Sequence, residues 1–141
     1  MISFTPEAWQ RLREQAEAAY PFEGCGLLLG PFEREKKATD IVFLRNTLRE
    51  EGRGRFDFEF SPQEFAQAQA TAEKRQLDVV GLYHTHPDHP PRPSRTDEAQ
   101  PMLAGWISVI ASVHGGRFKE AKAWLREEDS KPFEEIKLVL L

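Results

Sequence analysis

Residues 81–97, GLYHTHPDHPPRPSRTD, concentrate three of the chain's four histidines. Immediately upstream, Asp78, Val79, Val80, Leu82 and Tyr83 place apolar side chains on both alternating faces, the pattern of a strand buried in the middle of a sheet, so a strand is expected over Asp78–His86. Downstream, Ser94, Arg95, Thr96 and Asp97 have the spacing of a capping box, which opens a helix. Four of the seven residues from Pro87 to Pro93 are proline, so strand and helix are joined by a stiff loop rather than a flexible linker.

On a strand, residues two apart share a face, so His84 and His86 can reach one metal ion while Thr85 points away. A neutral imidazole offers a nitrogen lone pair at physiological pH, which makes histidine the commonest metal ligand. Asp97, at the start of the expected helix, can supply a third ligand, since a carboxylate suits the positive end of a helix dipole. Two imidazoles and one carboxylate leave a fourth tetrahedral position open, the arrangement of catalytic zinc. Each feature has a plainer reading. A lone histidine pair on a strand is often structural, and Ser94 and Asp97 equally suit reciprocal capping of the helix. Asp88 and His89 extend the run to HTHPDH and offer a different set of ligands.

Working outward, Thr5, Pro6 and Glu7 followed by Trp9, Leu12, Ala16 and Ala19 predict a capped amphipathic helix ending near Tyr20 and Pro21. Gly24–Gly30 reads as a short apolar strand, Glu33–Lys37 as a charged turn and Thr39–Asn46 as a second strand. The alternating Phe56, Phe58 and Phe60 read as a third, completing a meander. Ser61, Pro62 and Glu64 open a helix running to about Gln76. Trp106–Val113 and Arg117–Leu125 form a hairpin about His114, Gly115 and Gly116, where His114 is expected to be exposed, and Ile136–Leu141 is a last strand. The expected fold class is α/β in the α+β sense, a mixed and mostly antiparallel central sheet flanked by helices. One domain is expected to span residues 1–141.

Composition narrows the function classes. A chain that is 40% hydrophobic and 30% charged is of the globular type, and no apolar run approaches the roughly 20 residues of a membrane span. The start MISFTPEAWQRLREQ lacks the basic and apolar segments of a secretory signal, so a cytoplasmic location is expected. Cys25 is the only cysteine, which excludes an internal disulfide and a thiolate-rich structural zinc site. Its neighbours Leu27, Leu28 and Leu29 suit a buried packing thiol better than a nucleophile. A net charge of -4 argues against nonspecific nucleic-acid binding. Arg45, Arg49, Arg53 and Arg55 interleave with Glu50, Glu51, Asp57 and Glu59, the pattern of a solvated mixed-charge loop.

Taken together, His84, His86, Pro87, six intervening residues, Ser94, two more and Asp97 resemble the HxHP(x6)SxxD signature of JAMM, or MPN+ (Mov34/MPN/PAD-1), zinc metallopeptidases. A second segment, EGCGLLLG beginning at Glu23, is similar to the family's glutamate segment on the strand after the first helix. The resemblance covers nearly the whole chain and implies an MPN/JAB1, cytidine-deaminase-like architecture. It implies that His84, His86 and Asp97 bind Zn2+, that Glu23 is the general acid/base and that Ser94 donates a hydrogen bond to the developing oxyanion. It also implies cleavage after the C-terminal glycine of a ubiquitin-like or sulfur-carrier protein. The bond is either a lysine isopeptide to a target protein or the link to a cysteine on the carrier. Short connections resemble the small stand-alone prokaryotic members.

Other readings stay open at this point. Some MPN domains without the ligands act as scaffolds. HTHPDH resembles the metal motif of metallo-β-lactamase-fold hydrolases, although only 52 residues follow His89 and they hold a single histidine. RadC-like proteins share HxHP and SxxD, but the EGCGLLLG segment resembles the peptidase branch.

Overall fold

The computed structural model of the chain describes residues 1–100 and 105–141. It opens with a strand, β1 (Ile2–Phe4), and helix α1 (Pro6–Ala19). Thr5 caps this helix, its Oγ1 accepting from the Ala8 N–H at 3.2 Å. Proline follows at the first helical position, where its missing N–H costs no hydrogen bond. Strands β2 (Cys25–Gly30), β3 (Lys36–Ala38) and β4 (Asp40–Leu44) lead to a 3-10 turn at Thr47–Glu51 and helix α2 (Pro62–Lys74). The Ser61 hydroxyl caps α2 by accepting from Gln63 and Glu64. Strand β5 (Asp78–Pro87), the short helix α3 (Arg95–Glu98), and strands β6 (Ile107–His114), β7 (Arg117–Leu125), β8 (Glu134–Ile136) and β9 (Leu138–Leu140) complete the order.

The larger sheet runs β4-β2-β5-β6-β7-β8, with β5–β6 its one parallel pair. The expected mixed, mostly antiparallel sheet is therefore present, and β5 is central in it. On one face α1 packs with a small parallel sheet, β3-β1-β9, over Leu28, Ile41, Val80, Tyr83 and Val109. On the other, α2 and an irregular loop cover Cys25, Leu27, Leu29, Leu44 and Leu82. Because side chains alternate along β5, His84 and His86 continue the Leu82 face, at the end of the layer that α2 covers. Among the described residues no helix is long and apolar enough to cross a membrane.

Several expectations need correction. Phe56, Phe58 and Phe60 lie in irregular chain, not a strand, so β2 and β4 do not continue into a meander. The backbone there is satisfied by side chains: Glu59 N–H donates to Asn46 Oδ1 at 3.2 Å, and Phe58 N–H to Asp57 Oδ1 at 2.8 Å. The charged Glu33–Lys37 stretch contains the start of β3, and Ile2–Phe4 forms a strand that sequence periodicity did not mark. Three residues are too few to reveal a period. The final strand is split, β8 closing the large sheet and β9 pairing with β1. The hairpin between β6 and β7 turns at Gly115 and Gly116, both at positive φ, with His114 exposed as expected.

Gly26 shows how tightly β2 is seated. A Cβ there would run into the Val42 carbonyl oxygen of β4 and the Tyr83 ring of β5. Gly26→Ala is expected to lower stability by about 1–3 kcal/mol, since neither neighbour can move without disturbing the sheet. A urea melt with an unchanged midpoint would contradict that packing.

Candidate metal centre and active site

The site is assembled by strand register. In the β2–β5 pair Cys25 lies opposite His84. One step outward Thr85 N–H donates to the Gly24 carbonyl at 3.0 Å, and Gly24 N–H returns a bond to Thr85 Oγ1 at 2.7 Å. Continuing the register another step sets Glu23 across from His86. Thr85, which points away from the histidines, thus ties the backbone next to Glu23 to the strand carrying them.

Glu23, His84, His86 and Asp97 are all buried, and their ligand atoms lie within 4.8 Å of one another. His84 Nε2 is 3.2 Å from His86 Nε2 and 3.1 Å from Asp97 Oδ1, while His86 Nε2 is 3.0 Å from Asp97 Oδ2. A tetrahedron with metal–ligand bonds of about 2.0–2.1 Å has edges of about 3.3–3.4 Å, close to the 3.2 Å between the two histidine nitrogens. The donor chemistry agrees. His86 Nδ1 lies 2.8 Å from the Pro90 carbonyl oxygen, which can only accept, so Nδ1 carries the hydrogen. In a neutral imidazole, Nε2 then presents a bare lone pair to a carboxylate oxygen that also accepts. Two acceptors facing one another in a buried site require positive charge between them, and a divalent cation fits. The Nδ1–carbonyl bond is the kind of outer contact that fixes the orientation of a metal-binding histidine.

Asp97 stands at the third residue of the α3 capping box. Ser94 N–H donates to Asp97 Oδ2 at 2.9 Å and Asp97 N–H donates to Ser94 Oγ at 3.1 Å. Capping and the candidate site therefore coexist. Since Ser94 Oγ caps by accepting, its own hydroxyl hydrogen stays free to donate elsewhere. Burial opposes ionisation of Asp97, but positive charge shared with the adjoining His84 and His86 outweighs it and holds the carboxyl well below its usual range. For Glu23, burial first and then the negative Asp97 and Asp57 push the carboxyl up to about 9. Its Oε1 is buried without a hydrogen-bond partner.

A cavity of about 410 Å³ opens onto the cluster, lined by Glu23, His86 and Ser94 together with Phe56, His89 and residues of the proline-rich loop. The Phe58 ring stacks on His84 with centroids 4.7 Å apart, forming an apolar wall beside that imidazole. Phe58 and Asn46 are contributions that sequence reasoning missed. Asn46 Nδ2 donates to the Glu23 carbonyl at 2.9 Å and to Asp57 O at 3.2 Å, while its Oδ1 accepts from Leu48 and Glu59. One buried amide thus holds the start of β2 against the loop bearing the phenylalanines. Its only sequence mark is an asparagine ending an apolar strand.

The competing ligand set does not assemble. Asp88, at φ 60°, accepts from Tyr20 Oη at 2.7 Å and from Gly115 N–H at 2.9 Å, pinning the loop to its neighbours. The His89 ring rests against Phe56 at the cavity mouth. Neither joins the cluster of four found among the described residues. Cys25 is buried, and burial, with Glu23 and Glu64 adding to it, pushes its thiol up to about 12, so no nucleophilic thiolate forms near neutral pH. The arginine-rich loop is mixed in charge, Arg45 meeting Glu50 and Arg53 meeting Glu51.

The family described as prokaryotic homologs of the JAB domain matches residues 5–127. The chain belongs to this family. Among the relatives of this JAB domain is the desampylase of Pyrococcus furiosus, 31% identical over 135 residues that cover 96% of this chain and 88% of that enzyme. The desampylase of Haloferax volcanii is 30% identical over 103 residues, covering 73% and 71% of the two chains. A JAB1/MPN domain protein from Archaeoglobus fulgidus shares the fold, with a TM-score of 0.62 at 18% identity over 99% of this chain and 97% of that one. The chain is thus a hydrolase of the JAB family with a JAB1/MPN fold.

Glu23 gives a measurable signature. In metal-free protein its folded pKa of about 9 exceeds the ordinary 4.5, so from pH 4.5 upward the folded state holds a proton that the unfolded state has lost. Stability then falls as pH rises through that window. Glu23→Gln removes this slope: after chelation the two proteins are expected to melt alike near pH 4 and the wild type earlier at pH 8. Parallel melting curves across the range would refute the assignment.

Proposed function

We propose that this JAB domain hydrolyses the amide or isopeptide bond after the C-terminal glycine of a ubiquitin-like or sulfur-carrier protein, using Zn2+ held by His84, His86 and Asp97. The observation that carries the reading is the buried cluster of two imidazoles and a carboxylate with a second, unpartnered carboxyl beside it. The kinship with two desampylases supports the substrate class.

Zinc bound there would lower the pKa of a water from 15.7 to about 7 and polarise the substrate carbonyl. Glu23 is placed to take a proton from the attacking water and return it to the leaving amine. Its carboxyl has an oxygen with no other hydrogen-bond partner, which leaves it free to take that proton and return it. Ser94, capping α3 with its lone pair, directs its hydroxyl hydrogen to the carbonyl oxygen as charge develops. Phe58 stacked on His84 gives the site an apolar wall, which strengthens both interactions. A catalytically silent scaffold would have no use for an uncompensated buried carboxyl, which costs stability unless function requires it.

The test is to incubate purified protein with a carrier bearing either a lysine-linked protein or a cysteine at its terminal glycine. Release that stops on chelation and returns with zinc is expected. Cleavage insensitive to chelation would sink the metal assignment. Glu23→Gln should cut turnover by about a hundredfold or more while zinc stays bound. Asp97→Asn should leave the purified protein with less than about half an equivalent of zinc by elemental analysis.

A further inference from the structure

The proline-rich loop carries two arginines, Arg92 and Arg95, that flank Ser94 and line the same cavity as Glu23. Several arginines elsewhere on the surface are paired: Arg11 and Arg75 share Asp40, Arg45 meets Glu50, and Arg53 meets Glu51. Among the described residues, Arg92 and Arg95 form no ion pair. Both have fixed backbones. Arg92 sits between Pro91 and Pro93 with its N–H on the Pro90 carbonyl at 2.9 Å, and Arg95 is the first residue of α3. The one carboxylate among the described lining residues, Glu23, belongs to the metal cluster. Two exposed arginines without an ion-pair partner among the described residues, on a stiff loop that lines the cavity beside Glu23 and Ser94, suit a substrate that brings a negative charge of its own.

The two bonds left open under the proposed function differ in that respect. In a lysine isopeptide the scissile nitrogen is followed by four uncharged methylenes. Where the leaving group is a single amino acid, a carboxylate lies two bonds from that nitrogen, on the side of the cavity that Arg92 and Arg95 line with Ser94 if the bond is cut there. Guanidinium pairs with carboxylate through two parallel N–H···O bonds, a geometry that an uncharged chain does not offer.

We propose that Arg92 and Arg95 bind the α-carboxylate of a single amino acid attached to the carrier's terminal glycine, so that the enzyme trims one residue from a carrier tail in preference to separating two proteins. This rests on the hydrolytic function proposed above. In the reaction, water adds to the glycine carbonyl and the C–N bond breaks. The proton passes to the leaving nitrogen, and the products are a carrier ending in a glycine carboxylate and a free amino acid.

The experiment compares kcat/KM of the zinc-loaded enzyme on three substrates: a carrier extended by one residue with a free carboxylate, the same extension ending in a carboxamide, and a lysine isopeptide. The free acid is expected to be preferred over the carboxamide by about tenfold or more, the scale of one or two charge-assisted hydrogen bonds. In R92Q/R95Q, with folding checked by circular dichroism, that ratio should fall to about one, and in R92K/R95K it should be intermediate. Equal rates on acid and amide in the wild type, or a preference that survives R92Q/R95Q, would overturn the proposal and leave the hydrolytic reading standing. Cleavage of none of the three would overturn both.

Discussion

The antiparallel register between β2 and β5 is the constraint from which the rest follows. Cys25 lies opposite His84, and two reciprocal bonds lock Gly24 to Thr85. A shift by a single residue would turn His84 and His86 into the α1 layer and carry Glu23 away from them. The register is held on both faces, because β5 is buried almost throughout and β2 entirely. Gly26 admits the Tyr83 ring where any side chain would collide. Packing that seems remote from the chemistry therefore sets the distance between a carboxyl and two imidazoles.

Around that register, the polar groups of the site are each held by a second bond that fixes what they present. The Pro90 carbonyl commits the His86 proton to Nδ1, leaving Nε2 free as a ligand. Reciprocal capping with Ser94 orients Asp97 and uses the lone pair of the serine rather than its hydrogen. Asn46 ties the start of β2 to the irregular loop that delivers Phe58 to His84. Such support is what keeps reacting groups in place when the charges they carry favour movement.

Much of this was legible in sequence, for identifiable reasons. The two long helices announce themselves through Thr5-Pro6 and Ser61-Pro62, and β5 through apolar residues on both faces. His84, His86, Ser94 and Asp97 lie within one short stretch whose spacing has few other uses, and the structure brings all four together with Glu23. The failures have physical causes as well. Strands of three residues, such as β1 and β3, carry no period, and their pairing partners are distant in sequence. Alternating phenylalanines mimic a strand, but Asn46 and Asp57 take over the backbone bonds that a neighbouring strand would have made. A hub made by one asparagine depends on carbonyls contributed from several segments, which no local pattern discloses.

The capping box and the strand pairing also differ in how far along the chain they reach. Ser94 and Asp97 are three residues apart, and His86 only eleven from Asp97, so their contacts close within a short loop. Joining Glu23 to that group requires contacts between residues 61 apart, the Gly24–Thr85 bridge. Loop closure of that length comes at greater entropic cost. The contacts among His86, Ser94 and Asp97 are thus local, while the approach of Glu23 is set by long-range pairing. The Glu23 carboxyl meets the imidazoles only where β2 and β5 have paired, so a site built from residues near in sequence still depends on the completed sheet.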